Sequence, residues 1–84
     1  MTHLTTSPSA PELRTVAVRL ASAGPALWRV LDPTGRVLGH LQAIPGPQGV
    51  RYRARRFHAA ARAFLDLGDF WSAEDAVETL RYAH

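Results

Sequence analysis

The chain contains no cysteine, no lysine and no asparagine, and none of its apolar runs approaches the length of a membrane span. Without cysteine there is no disulfide framework, no thiolate zinc site and no cysteine nucleophile. A spanning helix needs roughly 18 or more consecutive apolar residues, so no membrane partner is expected. Residues 1–11 are rich in Thr, Ser and Pro and lack a charged segment followed by an apolar one. That pattern excludes a signal peptide and makes a cytoplasmic location the expectation. The four histidines, His3, His40, His58 and His84, are scattered without the close spacing of a ligand set. No metal and no cofactor is expected.

In the absence of lysine, all ten basic residues are arginine. GC-rich coding produces such a bias without selection, but the chemical consequence is the same. Arg offers a planar fork of donors that suits phosphate and guanine and stacks on aromatic rings. The net charge of +3 conceals an asymmetry. Residues 13–56 carry eight Arg against the single acid Asp32, whereas residues 57–84 carry two Arg against five acids, and Glu12 lies outside both. A basic front and an acidic back suggest one face suited to a polyanion.

Eighty-four residues, 46% of them hydrophobic, make one small domain. A chain this short buries only about 60–65% of its unfolded surface, so its core is modest. Residues 1–12, with Pro8 and Pro11, read as a flexible tail ahead of a single α+β domain over 13–84. Val16, Val18 and Leu20 alternate with Ala17 and Arg19, favouring a strand over 15–20, although a short helix also fits. The run 22–25, Ser-Ala-Gly-Pro, reads as a turn. Residues 26–32 and 36–44 flank Asp32-Pro33-Thr34-Gly35, whose residue order predicts a hairpin. Pro45-Gly46-Pro47-Gln48-Gly49 reads as a loop that stops ladder continuation, and a strand follows over 50–57. Ser72 as N-cap, Glu74 and Asp75 in the first turn and Arg81 in the last predict a helix over 73–83. Its apolar stripe is Ala73, Ala76, Val77, Leu80 and Ala83. Residues 58–67 fit either a second helix, giving a helix-turn-helix, or a loop at 58–61 followed by a strand at 62–67. The predicted fold is α+β, a three- to four-stranded antiparallel sheet packed on one C-terminal helix.

Alternation over 50–57 puts Val50, Tyr52 and Ala54 on one face and Arg51, Arg53 and Arg55 on the other, with Arg56 at the strand's end. Guanidiniums about 7 Å apart along one face repel each other and gain from a nearby anion. That anion is a phosphate backbone, or else the arginines are solubilising charges paired with Asp32 or Asp66. Arg29 and Arg36 would widen the patch if their faces match. Trp28, Trp71, Phe64, Phe70 and Tyr52 are expected in the core, with Trp28 the candidate for an exposed base-stacking ring. His40 is expected to be an ordinary surface or interface histidine. No Ser–His–acid set, carboxylate pair, phosphate-cradling Gly loop or dinucleotide fingerprint is present, so no enzyme is expected.

Three segments, Gly49-Val50-Arg51-Tyr52-Arg53-Ala54, then Arg62-Ala63-Phe64-Leu65-Asp66-Leu67-Gly68-Asp69-Phe70, then Ser72-Ala73-Glu74-Asp75-Ala76, resemble a known pattern. It is that of the plant ethylene-response-factor DNA-binding domain and its relatives, the arm-binding domains of tyrosine recombinases. The resemblance covers about residues 36–83. It implies three antiparallel strands backed by one helix, with the open sheet face in the DNA major groove and Arg51, Arg53, Arg55 and Arg62 as the groove-facing positions. The Ala-rich stretch 58–61, Trp71 and the extra strand around Trp28 depart from the pattern. The expected function is therefore a small nucleic-acid-binding domain, with double-stranded DNA the leading partner. The alternative is an interaction or inhibitory module that presents a basic sheet to an acidic protein.

Overall fold

A computed structural model describes residues 9–14 and 17–83. Most of the expected N-terminal tail, the first two positions of the expected 15–20 strand, and His3 and His84 lie outside the described residues. The protein is α+β: the described residues form one open antiparallel sheet of five strands, in the order β1-β2-β3-β4-β5, packed on a single C-terminal helix. The strands are β1 (Arg19–Gly24), β2 (Leu27–Leu31), β3 (Val37–Gly46), β4 (Gly49–His58) and β5 (Ala63–Phe70), and the helix is α1 (Ala73–Arg81).

Each strand pairs with its sequence neighbour, so turn chemistry sets the whole topology. At the β2–β3 turn, Oδ1 of Asp32 accepts from the backbone of Thr34 and Arg36 (both 2.9 Å) and from the Thr34 hydroxyl (2.6 Å). Gly35 closes the turn at φ +90°, a conformation that a β-carbon would strain. Those hydrogen bonds, the Thr34 hydroxyl foremost, hold the Asp32 carboxyl below its ordinary pKa of 3.8.

Two local expectations are corrected. The first edge strand starts at Arg19 and runs through Ser22, Ala23 and Gly24, so the turn falls at Pro25-Ala26. The ladder also continues into the Pro/Gly segment, where Pro45 pairs with Val50 and Gly46 with Gly49, leaving only Pro47 and Gln48 as the turn. In an antiparallel ladder alternate pairs exchange no hydrogen bonds. Pro45 stands next to the closing pair, where its missing N–H costs nothing.

The core lies between the sheet and α1. Trp28, Val30, Leu41, Ala43 and Ala54 from the strands meet Ala73, Ala76, Val77 and Leu80 from the helix. Val77 and Leu80 are fully buried, each contributing about 1.5–3 kcal/mol relative to exposure. The helix begins where Oγ of Ser72 accepts from the Asp75 amide at 3.3 Å, and it ends two residues short of the expected Ala83. Small residues on the sheet let it sit close. A β-carbon on Gly39 would stand 2.5 Å from Leu80 Cδ2 and 2.6 Å from the Arg55 carbonyl oxygen. Ahead of the sheet, Leu13 packs on the same core and the Arg14 amide donates to the Glu74 carboxylate.

Residues 58–67 do not form a second helix. A three-residue 3-10 turn, Ala59–Ala61, links β4 to β5, with Arg62 in the left-handed region at φ 52°. Helix propensity over an alanine run is a weak bias. It yields here to the pairing of Phe57 with Phe64 and His58 with Ala63.

Candidate functional site

The helix covers one face of the sheet, and no described element covers the other. The register builds that open face row by row. One row, from β2 to β5, is Arg29, His40, Arg55, Asp66; the next holds Gln42, Arg53 and Asp69; the third holds Ile44 and Arg51. Arg29, Arg51, Arg53 and Arg55 therefore share one face. Arg56 points the other way, and its guanidinium donates to the Ala83 carbonyl at the end of the helix. Arg36 lies in the exposed β2–β3 connection and Arg62 in the exposed β4–β5 turn, so neither stands within a strand.

The three β4 arginines are not equivalent. Arg53 forms a two-pronged pair with Asp69, Nε to Oδ1 at 2.7 Å and Nη2 to Oδ2 at 3.0 Å. Arg55 donates from Nε to Asp66 at 2.9 Å, one of the two carboxylates the sequence marks as a possible partner. The other, Asp32, is taken up by its own turn. Hydrogen bonding to Arg53 holds the Asp69 carboxyl below its ordinary pKa and raises that of Arg53. Among the described residues, Arg51 has no carboxylate hydrogen bond. Its guanidinium lies 4.7 Å from the centroid of the Trp71 ring instead, within cation–π range.

Asp66 and Asp69 reach the same face because β5 is bulged. Strict alternation would put residues three apart on opposite faces. The register jumps from Ala54↔Gly68 to Arg55↔Asp66, leaving Leu67 as an extra residue that packs towards the core. Gly68 carries the distortion at φ +144°, where glycine alone is comfortable.

Of the five rings expected in the core, Trp28 is there and Trp71 and Phe64 are not. Trp28 is 6% exposed and belongs to the core, which removes it as a stacking ring, while Trp71 is 57% exposed. Phe70 at the end of β5 packs towards the core, whereas Trp71, the first residue beyond the strand, lies against Arg51. Trp71 forms one wall of a concavity of about 330 Å³, completed by Ile44, Pro47, Gln48, Arg51 and Asp69 among others.

The opposite end of the open face is apolar. Phe64 meets His40 edge-on, with centroids 5.0 Å apart, and Phe57 at 5.4 Å. The Arg55 guanidinium lies 5.1 Å from the centroid of the Phe64 ring. His40 is thus less ordinary than the sequence suggests. Its Nδ1 is buried with no hydrogen-bond partner among the described residues. Burial first, then the charges of Arg29 and Arg55, push its pKa below 6.5.

No group of three or more His, Cys, Asp or Glu side chains among the described residues is placed to hold a metal ion. No described helix is long and apolar enough to cross a membrane. Comparison with protein families, curated proteins and solved structures finds no match, so the case for function rests on this chain's own geometry.

Proposed function

We propose that the protein is a small, non-enzymatic nucleic-acid-binding domain that applies the open face of its sheet to a phosphate backbone, with duplex DNA the leading partner. The observation that carries this is the clustering of Arg29, Arg51, Arg53 and Arg55 on one face that no described element covers. The acidic side chains of the helix lie on the other side of the sheet, so the molecule has an electrostatic front and back. Asp66 and Asp69 temper the front but do not close it. Exposed ion pairs contribute little net stability, and a phosphate can take over a guanidinium from a solvated carboxylate. Until then the pairs hold Arg53 and Arg55 against the sheet. The resemblance to sheet-type DNA-binding domains points the same way.

Four phosphate contacts give a log–log salt slope of about −4 on duplex DNA. Fluorescence polarisation with a mixed-sequence duplex at several salt concentrations measures it. The triple variant R51Q/R53Q/R55Q is expected to lose binding while keeping its circular dichroism spectrum. Binding that ignores salt, or that survives the triple change, defeats the proposal.

A second reading is favoured by one observation, the exposure of Phe57 and Phe64 beside Arg55. Apolar side chains next to satisfied ion pairs suit a protein surface, and the partner would be an acidic protein. A chain that ignores every oligonucleotide at low salt yet binds one acidic protein stoichiometrically belongs to this class.

A further inference from the structure

We infer that the concavity beside Trp71 is a subsite for a single unpaired nucleobase, which makes the domain a reader of single-stranded or locally opened nucleic acid. This rests on the nucleic-acid reading above and adds a ligand class to one part of the face. Four observations converge on it. Trp71 is the most exposed large ring on the open face, with 57% of its surface accessible. It stands beside Arg51, whose guanidinium is 4.7 Å from the indole centroid and has no carboxylate hydrogen bond among the described residues. Gln48 supplies a hydrogen-bonding group to the same concavity, and Ile44 and Pro47 supply apolar lining. The volume, about 330 Å³, lies at the low end of small-ligand sites. It suits one base with its sugar and phosphate, not a folded partner.

The chemistry favours a base over a peptide. A base offers a flat π-face to the indole, and the phosphate attached to it needs a cation such as Arg51 within reach. Bases inside a duplex have both faces covered by their neighbours, so only an unpaired or extruded base can stack on a side chain. Stacking of this kind tolerates any base, because each has a π-face. The carboxamide of Gln48 can donate and accept, so it can engage a base edge while Asp69 stays paired with Arg53.

The test is a fluorescence titration of the full chain with a twelve-residue oligothymidylate and with a twelve-base-pair mixed duplex. Trp28 is buried, so quenching by the single strand reports Trp71. The expected result is marked quenching by the single strand, absent in Trp71→Phe, where only Trp28 remains. Trp71→Ala should lose about tenfold in single-strand affinity, Trp71→Phe less, and both should change duplex affinity less than about twofold. Oligonucleotides that bind without quenching, and equally well to Trp71→Ala, overturn the subsite and leave the phosphate-binding proposal standing. Failure of both oligonucleotides to bind at low salt overturns the two together. Quenching by an acidic peptide and not by the single strand overturns the base assignment in favour of a protein ligand. Should Trp71→Ala fold poorly, the wild-type quench and Trp71→Phe still decide.

Discussion

The two ends of the open sheet face are built from the same kinds of side chain and reach opposite arrangements. At the β3–β4 turn, an arginine without a carboxylate partner stacks on an exposed indole beside a concavity. Near the β4–β5 turn, an arginine is held by Asp66 and packed on Phe64, which in turn covers His40. In both places a guanidinium lies against a ring. The difference is what else is in reach. Arg55 has a hydrogen-bonded acceptor and a ring fixed by neighbours on two strands, so its surroundings are complete. Arg51 has a ring and open space. Incomplete polar surroundings are where a ligand gains most, because the protein has not already supplied the counter-group.

Stability separates the ends most sharply. Phe64 touches His40, Phe57 and Arg55, and Phe64→Ala is expected to cost roughly 2 kcal/mol, about half the range for a fully buried phenylalanine. Trp71→Ala should stay within about 0.5 kcal/mol, as exposed substitutions usually do. Urea midpoints measure both, and equal costs would erase the distinction. Binding should invert the order. Arg51→Gln is expected to lower oligonucleotide affinity about tenfold and Arg55→Gln no more than about threefold, since a contacting group costs more than a paired one. Polarisation at fixed salt decides, and a larger loss at Arg55 would move the interface to the apolar end.

A subtler comparison replaces the acids. Asp69→Asn frees Arg53 next to the concavity and is expected to raise affinity about threefold with a steeper salt slope. Asp66→Asn should do less, and a loss of affinity in Asp69→Asn would mean the carboxylate itself contacts the ligand. The smallest effect is on pH dependence. The pKa of His40 is depressed by burial and by Arg29 and Arg55, so below pH 6.5 the unfolded chain takes up the proton first. Stability from this group is complete above 6.5 and declines as pH falls from there through the lowered folded-state value. Phe64→Ala should return the His40 pKa towards 6.5 and flatten the decline, which proton NMR titration and urea melts at pH 5 and 7 would register.

What the sequence disclosed was local chemistry. Asp32-Pro33-Thr34-Gly35 names its own turn, Ser72 and Asp75 mark the start of the helix, and period-two alternation separates Arg51, Arg53 and Arg55 from Tyr52 and Ala54. What it concealed was whatever depends on one strand's register against another. Nothing in the run Asp66-Leu67-Gly68-Asp69 announces that one residue is extra, so counting by twos sends the two acids to opposite faces. Pro45 looks like a ladder breaker until its partner is known to be Val50 at a position that needs no donor. The assignment of Trp28 and Trp71 turned on the same problem, because burial belongs to the packed sheet and not to the residue type. Arg56 likewise reads as a fourth positive charge, yet parity puts it beside the helix end.

The bulge in β5 has an evolutionary meaning as well as a structural one. Deleting Leu67 would leave the two acids two positions apart, on one face of a regular strand, so loss of a single codon there preserves the charge balance of the front and costs only an apolar contact with the core. Straightening the bulge at constant length does the opposite, because Asp66 and Asp69 would then fall on opposite faces and one arginine of the front would lose its counter-charge. Gly68, at φ +144°, is the residue that permits the bulge. Relatives of this chain that keep the length of this segment but carry a branched residue at 68 are therefore expected to differ in their affinity for polyanions, even where every arginine is retained.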